Sequence, residues 1–233
     1  MAGMTDTPRS AQPAVSARRP GDPDPDLSGI TLTHRAMVTD TARLADLTTA
    51  VAQRRLPCAP RRARAIARYV ALMCESIHHH HTMEDDVLWP VIQAAAGDFI
   101  DLSELTEDHA ALDPRLDRLR AAAAAFGRSG DPEMARPLAA GLADLHRLLA
   151  AHIADEEREL FPVIRRYVSS TDWQAVEKAA QRTGRLSFEG PRILAVATDA
   201  ERATLIGGLS PVLVGLLRVL ARRHNKFEAA VFG

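Results

Sequence analysis

Two stretches of this chain place a histidine and a carboxylate on one side of a helix, and few folds can accommodate that twice. The first begins His80-His81-Thr82-Met83-Glu84 and runs on to Leu88-Trp89-Pro90; the second begins His152-Ile153-Ala154-Asp155-Glu156 and runs on to Leu160-Phe161-Pro162. In both, Glu follows His by four residues and Pro follows Glu by six. Positions i and i+4 share a helix face, so each pair aims an imidazole and a carboxylate in one direction. The residues ahead of them on that face are apolar: Met73 and Ile77 in the first stretch, Leu145 and Leu149 in the second. The pairs therefore face a core, where an unpaired carboxylate costs several kcal/mol. The fold has to supply both carboxylates with partners inside.

Helical periodicity extends this pattern over much of the chain. A first helix is expected from Asp26 or Ser28, with His34, Met37, Thr41, Leu44 and Thr48 on its buried stripe; Leu56-Pro57-Cys58-Ala59-Pro60 breaks it. The second helix starts after Pro60 and carries Ile66, Val70, Met73, Ile77, His80, Glu84, Val87 and Val91, with a kink or local break expected at Pro90 and a stop at Ala96-Gly97. The third opens at Asp101-Leu102-Ser103-Glu104, buries Leu105, His109, Leu112, Leu116, Leu119 and Ala123, and is expected to be distorted by Pro114. The fourth starts near Asp131-Pro132 or Pro137 and carries Leu138, Leu142, Leu145, Leu149, His152, Glu156, Leu160 and Val163. After His34 come Met37, Thr41 and Leu44; after His109 come Leu112, Leu116 and Leu119 at the same offsets. Two similar hairpins imply an all-α, up-and-down four-helix bundle with an internal pseudo-repeat.

The ends of the chain differ from this core. Residues 1–25 hold five prolines among small, polar and charged residues and are expected to be a disordered tail. The bundle is expected over 26–168 and a C-terminal helical extension over 169–233. In the extension, short helices are expected from Thr171-Asp172-Trp173 to about Gly184, over 201–206 with Asp199 as cap, and over 212–221 behind Ser210-Pro211. The apolar run 209–220 is expected to pack on the bundle or on a partner.

With 46% apolar but only 4% aromatic residues, the chain is dominated by strong helix formers. A formal net charge of −1 offers no electrostatic ground for a nucleic-acid partner. Cys58 and Cys74 have neither a zinc nor a redox spacing. No apolar stretch reaches the roughly 18 residues of a membrane span and no leader-like apolar segment opens the chain, so a cytoplasmic location is expected.

Two carboxylates and four core histidines converging at one level are best satisfied by cations. Glu84 and Glu156 can each bridge two ions, with His34 and His80 on one and His109 and His152 on the other. Each ion then keeps open positions, which suits small-molecule chemistry rather than a closed structural site. The donor set favours two iron ions; manganese and zinc also fit it. Within the run His78 to His81, comparison with Ala151-His152 selects His80 as the inward residue, while His78 and His79 are expected to face solvent. His81, adjacent on the helix, and Asp113, four residues after His109, are further candidate ligands. His146 and His224 are expected at the surface or against a partner.

The doubled motif, together with His34 and with His109 in Glu107-Asp108-His109, resembles the hemerythrin-like family of HHE cation-binding domains over about residues 27–168. The resemblance implies a non-haem di-iron centre that meets dioxygen, peroxide or nitric oxide as its small ligand. Oxygen-carrying hemerythrins have a second histidine on the third helix, four residues after the first, where this chain has Asp113. A carboxylate there favours redox turnover, such as consumption of peroxide or nitric oxide, over reversible carriage. An iron- or oxygen-responsive sensor that works through a protein partner at 170–233 is the alternative reading.

Overall fold

The computed structural model describes residues 13–233, and among these every regular element is helical. Helix α1 spans Ser28–Ala52 and α2 spans Pro60–Met83. A widened turn, Glu84–Leu88, links α2 directly to α3, Trp89–Ala96. Helix α4 covers Ser103–Ser129 and α5 covers Pro132–Tyr167. Helix α1 packs along α5 and α2 along α4, and α4 also meets α5.

Local chemistry explains most of the boundaries. Pro60 and Pro132 stand in the first turns of their helices, where the missing N–H loses no intrahelical bond. Asp131 caps α5 by accepting from the Glu133 N–H at 2.9 Å. Gly130 ends α4 with φ at 73°, and a Cβ there would lie 2.6 Å from the Cys58 carbonyl oxygen. Gly97, at φ 59°, stops α3 as the sequence suggests.

At Pro90 the α-helical hydrogen-bond pattern is locally broken, as the sequence suggests, but the helix does not end. The turn ahead of the proline widens, so that the Trp89 N–H bonds the Glu84 carbonyl five residues back. That widening keeps the proline ring clear of the carbonyl it would otherwise strike. Pro114 and Pro162 lie inside α4 and α5, which continue through them.

The apolar interior forms two clusters. One holds Met37, Leu44, Tyr69, Met73, Leu116, Phe126 and Leu145 with their neighbours. The other holds Leu88, Trp89, Ile92, Leu160, Phe161 and Ile164, with Trp173 from beyond the bundle helices. Past Glu84 and Glu156 the fully buried residues are Leu88 and Leu160, then Ile92 and Ile164; Val87 and Val163, expected inside, are half-buried. The histidines and glutamates lie in the layer between these clusters.

Four helices follow: α6, Ser170–Thr183; α7, Leu186–Val196; α8, Asp199–Gly207; and α9, Pro211–Phe232. Helix α7 was not anticipated from the sequence. Thr198, rather than Asp199, caps α8 in a capping box with Glu201. Helix α9 runs eleven residues past its expected end at 221. Its apolar first half stays largely exposed, with Val212 at 84%, whereas His224 and Val231 in its second half are buried. His224 is thus no surface residue. The longer helix brings it beside the Tyr69 and Phe188 rings, at 6.2 and 5.9 Å.

Arg192 of α7 joins this end of the chain to α1 and α2. It is buried, contacts Asp40 of α1, and donates to the Ser76 hydroxyl of α2 at 3.2 Å. The Tyr69 hydroxyl donates to the same Asp40 at 3.0 Å, so the carboxylate has partners from two directions. Of the stretch expected to be a disordered tail, residues 1–12 lie outside the described residues. Residues 13–25 follow an irregular path that packs Val15 on the second cluster and lets the Ser16 N–H donate to Asp172.

Candidate metal centre

Helices α1, α2, α4 and α5 and the widened turn contribute to one buried layer. His34 comes from α1, His80 and His81 from the last turn of α2, Glu84 from the start of the widened turn, His109 from α4, and His152 and Glu156 from α5. The sequence places these side chains inward because they occupy positions on the apolar stripes of their helices.

The donor atoms fall into two groups. His34, His80, Glu84 and Glu156 form the first, with donor atoms within 4.8 Å of one another. His34 Nε2 and His80 Nε2 are 3.0 Å apart, and His80 Nε2 lies 3.0 Å from Glu84 Oε1. His81, His109 and His152 form the second, where His109 Nε2 and His152 Nε2 are 3.2 Å apart. The glutamates reach both groups. Glu84 Oε1 faces His80 while its Oε2 lies 3.7 Å from His109, and Glu156 Oε2 lies 3.6 Å from His34 and 3.9 Å from His152.

All six residues singled out as principal candidates are therefore brought together, and of the two further candidates only His81 joins them. His81 is 3% exposed, stacks on His109 at 4.2 Å between ring centres, and has no hydrogen-bond partner on either ring nitrogen. Asp113 does not reach the site. Helix α4 continues through Pro114 and leaves Asp113 at the surface, where its Oδ1 is 2.9 Å from His78 Nδ1. His79 is half-buried and paired with the Thr183 hydroxyl at 2.7 Å, and His146 is half-buried, 3.1 Å from the Thr41 hydroxyl.

Three carboxylates that the sequence reading passed over orient the histidines. Glu157 Oε1 accepts from His34 Nδ1 at 2.8 Å, and Asp85 Oδ1 accepts from His109 Nδ1 at 2.9 Å. Asp108 Oδ2 lies 3.4 Å from His152 Nδ1. A carboxylate on Nδ1 keeps the proton there and leaves Nε2 bare, the state a metal ligand needs. The first two obey the internal repeat: each is the acid directly after a core glutamate and reaches across to the neighbouring helix. Glu84-Asp85 and Glu156-Glu157 were the signal in the sequence.

Burial sets the protonation of the cluster in the absence of a cation. It pushes the Glu84 carboxyl up to about 8 and holds Glu156 well above the usual carboxylate range, with the Glu84 charge adding to the effect on Glu156. It lowers His80 and His152 to about 4 and depresses His81 and His109 as well. All four oxygens of Glu84 and Glu156 are buried with no hydrogen-bond partner. Orphaned carboxylates facing neutral imidazoles are costly alone and well suited to cations, which supply the missing charge without a further proton.

Fold and site together define a helical metal-binding domain with its donors in one buried layer. Residues 27–164 match the model of the hemerythrin HHE cation binding domain, and the chain belongs to that family. No curated protein and no solved structure matches it. No helix among the described residues is long and apolar enough to cross a membrane.

Proposed function

We propose that this chain holds two iron ions in an up-and-down four-helix bundle and uses them to bind or turn over a small oxidant: dioxygen, peroxide or nitric oxide. The observation that carries this is the set of four unpartnered oxygens on Glu84 and Glu156, lying between two histidine groups. His34 and His80 would hold one ion, His81, His109 and His152 the other, with both glutamates bridging. Mixed imidazole and carboxylate donors suit iron. A pair of ferrous ions, once bound, can supply two electrons to an oxidant.

The chain's own residues set the conditions for that chemistry. Asp85, Asp108 and Glu157 keep the Nδ1 protons in place. Trp89 lies against His109 at 5.7 Å and Phe161 stacks on His34 at 6.4 Å, which keeps water from the outer faces of these rings. Asp113, the residue whose carboxylate pointed to turnover, lies outside the site, and its place beside His109 is taken by His81. A site with five imidazoles is compatible with reversible binding as well as with turnover.

Anaerobic iron loading followed by metal analysis and a visible spectrum tests the proposal. Two irons per chain and an oxidant-dependent absorption band are expected; fewer than one iron per chain overturns it. Peroxide consumption by the loaded wild type against Glu156→Ala then separates turnover from binding.

A further inference from the structure

The helices beyond the bundle complete a cavity of about 210 Å³ with His80 and Glu84 at its inner end. Ile30 and Met37 of α1 form one wall, and Met83 and Leu88 on either side of Glu84 form another. Val176 of α6 and Ile193 of α7 border it on the outer side and leave it partly open to solvent. His80 is the most exposed of the paired imidazoles in the cluster, its side chain 12% accessible against 1% for His34, 3% for His109 and 4% for His152. That exposure is where the cluster meets the cavity.

The outer wall is firmly held. Ser169 caps α6, Trp173 Nε1 donates to the Asp26 carbonyl at 2.7 Å, and α7 carries the buried Arg192. Glu177 Oε1 lies so close to Gly29 that a Cβ there would be 2.9 Å away, so α6 sits directly against the start of α1.

From this geometry we propose that the cavity is a binding site for a neutral, mainly apolar organic molecule, about the size of a substituted benzene, held against the His80 and Glu84 side of the cluster. Most of the exposed wall is hydrocarbon, which offers water few of the two to four polar partners each molecule needs away from Thr33, Ser76, His79, Gln181 and the glutamates. A dry apolar cavity of about 150 Å³ is enough to take benzene. A diatomic or peroxide ligand needs far less room, about the 30 Å³ share of one water. The charges exclude anions: Glu177 and Glu189 line the cavity, and among the described residues no lysine or arginine does. The functional meaning, an organic substrate presented to the oxidising centre, rests on the reading in the preceding subsection; the binding itself needs only the cavity.

The test uses the full chain, zinc-loaded and in parallel stripped of metal, with carbon-13 in the methionine methyls. Toluene is titrated in, and the expected result is saturable shifts of the Met37 and Met83 methyls with no change at Met134. Ala180→Trp, which fills the cavity from a half-buried position on α6, should abolish the shifts while leaving zinc content and melting temperature unchanged. In the metal-free protein benzoate should bind at least about tenfold more weakly than toluene, because its carboxylate finds no cation there. Shifts that do not saturate, that persist in the tryptophan variant, or that are as strong with benzoate in the metal-free protein overturn the proposal. If Ala180→Trp does not fold, the positions of the wild-type shifts and the benzoate comparison decide alone. Failure to hold metal sinks the iron reading and leaves the toluene result standing; absent toluene shifts in zinc-loaded protein sink the cavity and leave the metal centre.

Discussion

Glu84→Gln should stabilise the metal-free protein at alkaline pH while destroying its ability to take up metal. The Glu84 carboxyl is 2% exposed and unpartnered, and burial carries it from 4.5 up to about 8. Each tenfold in proton affinity is worth about 1.4 kcal/mol. Ionised Glu84 therefore costs the metal-free fold on the order of 5 kcal/mol. Below pH 4.5 the group is protonated both folded and unfolded, and the penalty is absent. Between 4.5 and 8 the folded chain keeps a proton that the unfolded chain has released, so stability falls as pH rises, and above 8 the full cost is present. His80 and His152 act in the opposite sense: lowered to about 4, they remove stability as pH falls below 6.5 and contribute nothing above it. The window from pH 6.5 to 8.5 thus isolates the carboxyls. Urea denaturation of chelator-treated wild type and Glu84→Gln should show the difference between them moving in favour of the variant by about 2 kcal/mol across that window. Adding ferrous or zinc ion at pH 8.5 should stabilise the wild type and leave the variant unchanged. A difference that is constant with pH would refute the claim that burial raises the Glu84 carboxyl.

Two further outcomes test the ligand set and its support. His81→Ala should lower metal content or affinity, whereas Asp113→Ala should leave both unchanged; equal effects would contradict the division of the cluster into three histidines and two. Asp85→Asn and Glu157→Gln should each weaken metal binding about 10- to 100-fold in a competitive chelator titration, with the number of bound ions unchanged at saturation. Unaltered affinity in both would mean that their contacts to His109 and His34 do not orient those rings.

The sequence alone determined the helical class and the six principal candidates, because both follow from local periodicity. A residue three or four places from a buried leucine lies on nearly the same side of the helix, whatever the helix packs against. That rule points His34, His80, Glu84, His109, His152 and Glu156 toward one layer, and the repeat singles out His80 while leaving the equally inward His81 undecided. It is silent on contacts between helices. Helix α2 lies between two partners, so His80 meets His34 of α1 while His81, about 100° further round, stacks on His109 of α4. Asp113 had an equally good offset in the sequence and instead faces His78 at the surface. Only packing could choose between them. The same holds for Arg192 on Asp40, for His224 beside Tyr69, and for the cavity that α6 and α7 help to line over His80. Each joins residues far apart in the chain, and their meeting depends on the register of one helix against another.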